Sequence, residues 1–245
     1  SDITSPVRSW ARVLKCSGQF CCSSLRNNLN PIRSHGEVTL RNRRMPPVDK
    51  PYAESCDQNR EPILAVLAPL FRERRRLLEI GSGTGQHAVY FAAALPHLSW
   101  QCSDRAEHLS GIRLWIEEAA LSNLPPPLEL DVLKHWPAER FDAIFSANTA
   151  HIMGIDAVEA MFAGVGAHLE PGGVFALYGP FSRNGQHTSP SNARFDAWLR
   201  AQDPAMGVRD QRWLEQLAAA HGLQRIAEDT MPANNLTLVW ERNGM

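Results

Sequence analysis

A short glycine-rich run that follows an apolar stretch is the clearest chemical signal in this 245-residue sequence. The run spans 81–85 (GSGTG), and the apolar stretch 77–80 (LLEI) before it carries one acid, Glu79. Glycine has no Cβ, so a loop of this composition lets the backbone approach a ligand closely. A strand that ends in such a loop and continues as a helix opens the crevice where doubly wound sheets bind ligands. A tight turn without a ligand is the alternative interpretation.

The spacing of the glycines separates the candidate cofactors. A dinucleotide-binding fingerprint requires glycine or alanine at the sixth position of its G-x-G-x-x-G/A pattern. Gln86 holds that position, which argues against pyrophosphate binding and therefore against a nicotinamide-dependent oxidoreductase. A phosphate-binding P-loop requires Gly-Lys-Ser/Thr, and no such tripeptide follows the run.

Two further acids follow the next two predicted strands. Asp104 comes directly after the strand 98–103, and Asp131 follows the strand 128–130. A carboxylate at a strand end can accept hydrogen bonds from ribose hydroxyls, as dinucleotide-binding folds illustrate. Either acid is also a favoured helix N-cap. Acids at two successive strand ends, next to a glycine loop at a third, indicate a nucleotide-type ligand.

Alternating strands and helices must position these side chains. Short apolar runs bounded by turn residues predict strands, whereas apolar residues three and four positions apart predict helices. The alternation favours an α/β fold with a doubly wound, mostly parallel, seven-stranded sheet of the Rossmann-like type. The first helix is expected at 62–71, with Asp57 or Asn59 as its cap. The expected strands are 77–80, 98–103, 128–130, 141–147, 174–178, 223–228 and 236–240.

Charge divides the chain in two. Residues 1–45 carry eight Lys/Arg and two Asp/Glu, whereas residues 46–245 carry seventeen Lys/Arg and 24 Asp/Glu. Residues 1–45, the basic leader, show no sustained hydrophobic periodicity. Residues 46–245 are expected to form a single domain that does not include the leader. The leader is a disordered tail, a transit-type targeting peptide or translated sequence upstream of a start at Met45. The acidic body argues against non-specific nucleic-acid binding.

Composition gives further expectations. No stretch approaches the roughly 20 apolar residues that a membrane span requires, so no membrane association is expected. Five cysteines without a CxxC pair favour free thiols in a reducing compartment. A cytoplasmic protein is expected unless the leader directs it to an organelle. The histidines lack ligand spacing, so no metal is expected. The sequence makes no prediction about the oligomeric state.

The pattern E-x-G-x-G-x-G resembles motif I of class I S-adenosylmethionine (SAM)-dependent methyltransferases. In that family the glycines pass beneath the amino-acid part of SAM, and the acid helps to orient this end. Longer segments resemble the methyltransferase-like 26 family, also known as domain of unknown function 938. They are 57–64, 82–88, 178–181, 187–192 and 231–236. The resemblance covers roughly residues 46–242 and implies the class I methyltransferase fold with SAM as cofactor, but it gives no acceptor.

The resemblance and the strand ends together name the expected cofactor-binding residues. Asn59 and Arg60 are expected as a lid over SAM, with capping of the first helix as their alternative role, and Asp131 as the partner of the adenine amino group. The full set is Asn59, Arg60, Glu79, Gly81, Ser82, Gly83, Gly85, Asp104, Asp131 and Asn148.

Three residues are candidates for handling the methyl acceptor. His151 follows the fourth predicted strand, Tyr178 ends the fifth, and His187 lies in the polar loop beyond it. Methyl transfer is a displacement at a sulfonium, so positioning of the nucleophile supplies much of the acceleration. A general base matters only where the acceptor must lose a proton, and imidazole titrates near neutrality. A hydrogen-bonded structural histidine is the alternative role for each histidine.

The sequence therefore predicts a SAM-dependent methyltransferase with a small-molecule acceptor. It contains no Asn/Asp-Pro-Pro-Tyr/Phe stretch for adenine amino groups, no Pro-Cys dipeptide for pyrimidine rings and no basic, aromatic-studded run in the body, so a nucleic-acid acceptor is not expected. A protein side chain is the second candidate acceptor. A non-catalytic SAM-binding or scaffold protein is the alternative function.

Overall fold

Ten strands, six α-helices and one 3₁₀ helix (Pro232–Asn234) make up residues 50–244, the part of the chain described by a computed structural model. The strands are β1 (Arg76–Ile80), β2 (Ser99–Asp104), β3 (Leu128–Glu129), β4 (Phe141–Ala147), β5 (Leu169–Gly179), β6 (Phe181–Arg183), β7 (Gln186–His187), β8 (Arg209–Asp210), β9 (Leu223–Met231) and β10 (Asn235–Arg242). The helices are α1 (Glu54–Leu70), α2 (Gln86–Ala94), α3 (Ala106–Ala119), α4 (Ile155–His168), α5 (Pro190–Gln202) and α6 (Gln211–Ala220). The predicted basic leader, 1–45, lies outside the described residues. Within 50–244, none of the helices has the length and apolar character that crossing a membrane requires.

Seven strands form the main sheet, in the order β3-β2-β1-β4-β5-β10-β9. The strands β1 to β5 pair in parallel, whereas β10 runs antiparallel to both β5 and β9. The strand order reverses between β1 and β4, and such a switch point opens a crevice at the carboxyl ends of the strands. The predicted doubly wound, mostly parallel, seven-stranded sheet is confirmed.

Two apolar cores cover the two faces of the sheet, because successive side chains of a strand point to opposite faces. Helices α1, α2 and α3 pack on one face, and α4 and α6 pack on the other. Trp100 packs on Phe145 in the first core, with 5.9 Å between ring centroids. Trp240 stacks on Phe175 in the second, at 5.5 Å. These cores fix the strand ends on which the candidate site is built.

The expected start of the first helix at Pro62 is wrong. Helix α1 begins at Glu54, so Asn59 and Arg60 lie inside the helix and do not cap it. Proline favours the first helical turn, which made the later start the better local prediction. A long-range contact overrides that preference, because Gln86 Oε1 accepts a hydrogen bond from the backbone N–H at the N-cap position, at 2.6 Å.

The fifth strand also differs from its expected bounds. The expected strand begins at 174 because the residues before it, 170–173 (EPGG), are typical of a break, but β5 pairs with β4 on both sides of this segment. Leu169 lies opposite Phe141, and Val174 lies opposite Ala143, with a shift of register between the two pairs. The break is therefore a bulge inside the strand, which leaves the pairing with β4 intact.

A small second sheet replaces the predicted polar loop after β5. Its order is β7-β6-β8, and Asp210 at the end of β8 accepts hydrogen bonds from Ser182 Oγ (3.1 Å) and Gly185 N (2.7 Å). Strands of two or three residues are too short to show a period in the sequence. The segment therefore reads as a loop, although it is held in place by side chain to backbone hydrogen bonds.

Candidate active site

The glycine loop is tied to the carboxyl end of β2. The backbone N–H groups of Gly81 and Ser82 both donate to Ser103 O, at 2.9 and 3.0 Å, and Gly85 N donates to Ser82 O at 2.9 Å. The loop therefore folds back over the neighbouring strand before α2 begins. This places it at the switch point of the sheet.

The three glycines of the loop serve different purposes. A Cβ on Gly81 would lie 2.6 Å from Thr149 Cγ2, and one on Gly85 would lie 3.2 Å from Ile112 Cα in α3. A Cβ on Gly83 would meet no atom of the described chain within 4 Å. Only Gly83 therefore faces open space, and the other two glycines allow close packing of the loop against the protein.

Glu79, in β1, supports the glycine loop through hydrogen bonds. Its Oε2 atom accepts hydrogen bonds from Ser82 Oγ and Trp100 Nε1, both at 2.9 Å, and the side chain is fully enclosed. Burial raises the pKa of Glu79 to about 7, although the two donors oppose that shift. Glu79 and the Ser82 hydroxyl thus bond each other and support the shape of the loop.

Asp104 joins the end of β2 to the glycine loop. Its Oδ2 atom accepts a hydrogen bond from Gly83 N at 2.7 Å, and its Oδ1 atom accepts one from Arg105 N at 2.8 Å. The side chain is buried, and this burial raises the pKa of the carboxyl group. A carboxylate thus lies beside the one glycine of the loop that faces open space.

Asp131 lies two residues beyond β3, which ends earlier than predicted. Its carboxylate is half-exposed, pairs with Lys134 Nζ at 3.0 Å and accepts a hydrogen bond from Leu133 N. The Lys134 bond lowers the pKa of Asp131. Leu130 N donates to Asp104 O at 2.8 Å, so the segment before Asp131 runs beside the loop and β2.

Asn148 follows β4 at the same edge of the sheet. Its backbone N–H donates to Tyr178 O at 2.9 Å, and its φ of 59° lies in the left-handed region that asparagine tolerates. The side-chain oxygen Oδ1 is buried and has no donor among the described residues. An unpaired buried carbonyl is costly, so this oxygen suits a ligand that carries N–H groups.

His151 is enclosed between the loop after β4 and helix α5. The side chain of His151 is 5% exposed, and its ring packs edge-on against Phe195 with centroids 5.2 Å apart. Burial, with a smaller contribution from the Arg209 guanidinium, lowers the pKa of His151 to about 3. Arg209 itself is held by Ala150 O and Met153 O on either side of His151. Within residues 50–244 the imidazole has no hydrogen-bond partner, so it is neutral and unpaired.

Tyr178 belongs to a buried chain of uncharged side chains. Its hydroxyl accepts a hydrogen bond from Asn235 Nδ2 at 2.9 Å and is also bonded to the Asn59 side chain. Asn59 Oδ1 lies 2.7 Å from His87 Nε2. Burial raises the pKa of Tyr178 and lowers that of His87 to about 4, so both groups are neutral. His87 and Asn235 lie in two of the quoted motif segments, but no sequence signal shows that they meet.

The structure separates two other candidates from this cluster. His187 is exposed on β7, and its Nε2 atom lies 3.6 Å from Asp196 Oδ2. Arg60 pairs with Asp57 at 2.7 Å, and its guanidinium lies 4.6 Å from the centre of the Tyr90 ring. Neither makes a hydrogen bond to the glycine loop or to Tyr178 within the described residues. No group of three His, Cys, Asp or Glu side chains between 50 and 244 is placed to hold a metal ion.

A family model identifies the chain. The model described as "Protein of unknown function (DUF938)" matches residues 50–242, which is most of the sequence. The chain belongs to the DUF938 family. The resemblance found in the sequence is confirmed at this level, whereas the name methyltransferase-like 26 stays a prediction. The DUF938 match includes all seven strands of the main sheet and every candidate residue of the site.

Solved methyltransferase structures share the fold of this DUF938 protein. An O-methyltransferase family protein from Burkholderia thailandensis has a TM-score of 0.68 at 15% identity, over 75% of this chain and 56% of that one. Mitomycin 7-O-methyltransferase MmcR has a TM-score of 0.69 at 16% identity, over 78% and 55%. Human N-acetylserotonin methyltransferase, solved in complex with SAM, has a TM-score of 0.59 at 12% identity, over 76% and 56%. The DUF938 chain thus spans little more than half the length of these proteins, and the likeness shows the class I methyltransferase fold.

Proposed function

We propose that the protein transfers a methyl group from SAM to a small-molecule acceptor. The observation that carries the proposal is the 2.7 Å hydrogen bond from Gly83 N to Asp104 Oδ2, which joins the glycine loop to the acid at the end of β2. Nucleotide-type ligands bind at this edge of doubly wound sheets. The solved structures that share the fold are methyltransferases by name.

The side chains at this edge fit SAM. Gly83 leaves open space on the loop, and Asp104 offers a carboxylate suited to ribose hydroxyls. The unpaired Asn148 Oδ1 suits an ammonium group, and Asp131 is assigned to the adenine amino group on the family resemblance. Glu79, Ser82, Gly81 and Gly85 would hold the loop in shape. When bound, SAM supplies an electrophilic methyl group on a sulfonium.

His151 is the group that we assign to proton removal from the acceptor. Its imidazole is neutral and unpaired within the described chain, so a ring nitrogen is free to accept a proton. Because burial and Arg209 keep the pKa of His151 low, it accepts the proton only as the acceptor atom bonds to the methyl group, which makes the proton on that atom more acidic. Tyr178 would position the acceptor through its hydroxyl, and His187 would serve as a base nearer the surface.

The names of the structural neighbours support a small acceptor. Mitomycin 7-O-methyltransferase and N-acetylserotonin methyltransferase are named for small molecules. A second function, SAM binding without turnover, is favoured by one observation. The Tyr178 hydroxyl already bonds Asn235 and Asn59, which leaves it less free to contact an acceptor. Methyl transfer to a protein side chain is the remaining alternative.

Calorimetric titration of the full chain with S-adenosylhomocysteine tests the cofactor site. We expect saturable one-to-one binding, which Asp104→Ala weakens by about 1–3 kcal/mol, the cost of losing a buried hydrogen-bond partner. Asp142→Ala is the matched control, because Asp142 also accepts two backbone N–H bonds, from Arg75 and Arg76, but lies at the amino end of β4. A folded wild-type protein that does not bind would rule out the proposal.

Labelled methyl transfer tests the acceptor side. The full chain is incubated with methyl-labelled SAM and either the small-molecule fraction or the protein fraction of a cell extract. We expect label in small molecules, and His151→Gln should lower the rate by roughly 10²–10⁴-fold while S-adenosylhomocysteine binding is retained. Label in protein alone would select the second acceptor class. Binding without transfer in either fraction would select the non-catalytic function.

A further inference from the structure

Helix α1 consists of two halves that are held in different ways, on either side of Pro62. The second half carries Ile63 and Leu67, which are fully buried in the core with Phe71. Among the described residues, none before Pro62 belongs to that core. Pro62 has no N–H to donate to the preceding turn, so the helix lacks a backbone hydrogen bond where the two halves meet.

The first half is held to the glycine loop and to the start of α2 by polar contacts. Ala53 N donates to Gln86 Oε1 at 2.6 Å, and the Cys56 thiol is hydrogen-bonded to the Thr84 side chain. One turn later, Asn59 Oδ1 lies 2.7 Å from His87 Nε2. Positions 53, 56 and 59 are three apart and therefore lie along one face of the helix.

The residues before α1 are anchored in the same manner. Pro51 O accepts a hydrogen bond from Trp115 Nε1 of α3 at 2.7 Å, and Lys50 Nζ lies 3.5 Å from the centre of the Trp115 ring. Pro51 also packs against Gly111, where a Cβ would lie 2.5 Å from Pro51 Cγ. Hydrogen bonds thus supply most of the attachment of residues 50–61, and Pro51 adds an apolar contact with α3.

The closed arrangement leaves buried donors without acceptors. Gln86 Nε2 and Arg60 Nε are both buried and unpaired within the described chain. Unpaired buried donors destabilise the state that buries them. The contacts on this interface therefore favour closure less strongly than the apolar contacts of the second half of α1.

We propose that residues 50–61 form a gate, hinged at Pro62, that swings away from the glycine loop to admit ligand and closes on it afterwards. The gate contacts Thr84, Gln86 and His87, the residues that directly follow the open face of the loop at Gly83. The identity of the admitted ligand rests on the proposed function. In this proposal ligand enters only the open form, so the association rate is proportional to the open fraction.

A disulfide that locks the gate tests this inference. Thr84→Cys places a second thiol at the side chain that Cys56 already contacts, and oxidation links the gate to the loop. Stopped-flow tryptophan fluorescence of the full chain should show S-adenosylhomocysteine association at least tenfold slower in the oxidised form, with recovery on reduction. The variant that combines Thr84→Cys with Cys56→Ser is the control, and its association rate should not change when oxidant is added. Equal association rates for oxidised and reduced protein would overturn the gate.

Hydrogen exchange provides a test that needs neither the disulfide nor a ligand. Amides of 58–61, which lie beyond the first turn of α1, should exchange at least tenfold faster in the wild-type chain than amides of 66–68, and S-adenosylhomocysteine should slow them. Equal protection of the two halves in the free protein overturns the gate. If the ligand does not bind but the halves differ, the gate stands and the proposed function fails.

Discussion

At the scale of single residues, the candidate site contains several groups whose pKa burial shifts toward the neutral form. Burial raises the pKa of Glu79 to about 7 and lowers those of His151 and His87 to about 3 and about 4. Glu79 has two donors, Ser82 and Trp100, whereas His151 has no partner among the described residues. A satisfied buried carboxyl group is a support for the loop, and an unsatisfied imidazole is available for chemistry.

Glu79 should make stability fall as pH rises. Its pKa is near 4.5 when unfolded and about 7 when folded, so folding favours the protonated form. The stabilisation is complete below pH 4.5 and is lost as pH rises to 7, by on the order of 3 kcal/mol. Urea unfolding measured from pH 4.5 to 8 should show the free energy of wild type falling relative to Glu79→Gln. Glu73→Gln, at an exposed position, is the control. A free-energy difference between wild type and Glu79→Gln that does not change with pH would contradict the assignment.

The sequence predicts these residues unequally. Glu79 is found because it lies in the apolar run before the glycine loop, and Asp104 because it directly follows a predicted strand. The ends of neighbouring parallel strands meet, which brings the two acids to one edge. From the sequence, Gln86 indicates only that the dinucleotide-binding fingerprint does not match. In the structure its side chain accepts the hydrogen bond that fixes the start of α1. That role depends on a contact between residues 33 positions apart, which no local pattern contains.

At the scale of elements, the glycine loop joins a strand to a helix through three glycines with different surroundings. A Cβ on Gly85 would contact α3, and a Cβ on Gly81 would contact Thr149. A Cβ on Gly83 would have no atom of the described chain within 4 Å. The sequence shows three equivalent glycines, because spacing carries no information about what lies opposite each Cα. Helix α1 is mispredicted for a related reason, since its start is fixed by another element.

Substitution of single glycines should separate binding from folding. Gly83→Ala places a Cβ in the open space of the loop, so we expect S-adenosylhomocysteine affinity to fall at least tenfold. The positive φ of 59° should cost only about 1–2 kcal/mol of stability. Gly172→Ala is the matched control, with a φ of 72° and no atom within 4 Å of its Cβ, but in the bulge of β5. Calorimetry and urea unfolding of both variants check this, and equal affinity of Gly83→Ala and wild type would be inconsistent with ligand at the loop.

At the scale of the whole molecule, the topology brings together residues that are far apart in sequence. Gly83, Asp104, Asn148 and Tyr178 follow or end parallel strands, so they share the carboxyl edge of the sheet. Asn235 begins β10 and reaches the same edge because β10 is antiparallel. The sequence predicts seven strands and their mostly parallel arrangement. It misses Asn235, because neither strand length nor apolar pattern gives the direction of the last strand.

The two faces of the sheet should respond differently to the same substitution. Trp100 and Trp240 are both fully buried, one in each core, but Trp100 Nε1 donates to Glu79 at 2.9 Å whereas Trp240 Nε1 is unpaired within the described chain. Replacing either with phenylalanine leaves a similar cavity. Trp100→Phe also removes a hydrogen bond and should cost about 2–4 kcal/mol, whereas Trp240→Phe removes an unsatisfied donor and should cost about 1 kcal/mol or less. Urea unfolding followed by circular dichroism compares the two variants. Equal losses would mean that Trp240 Nε1 has a partner in solution, and a larger loss for Trp100→Phe would show that the glycine loop and its face of the sheet are stabilised together.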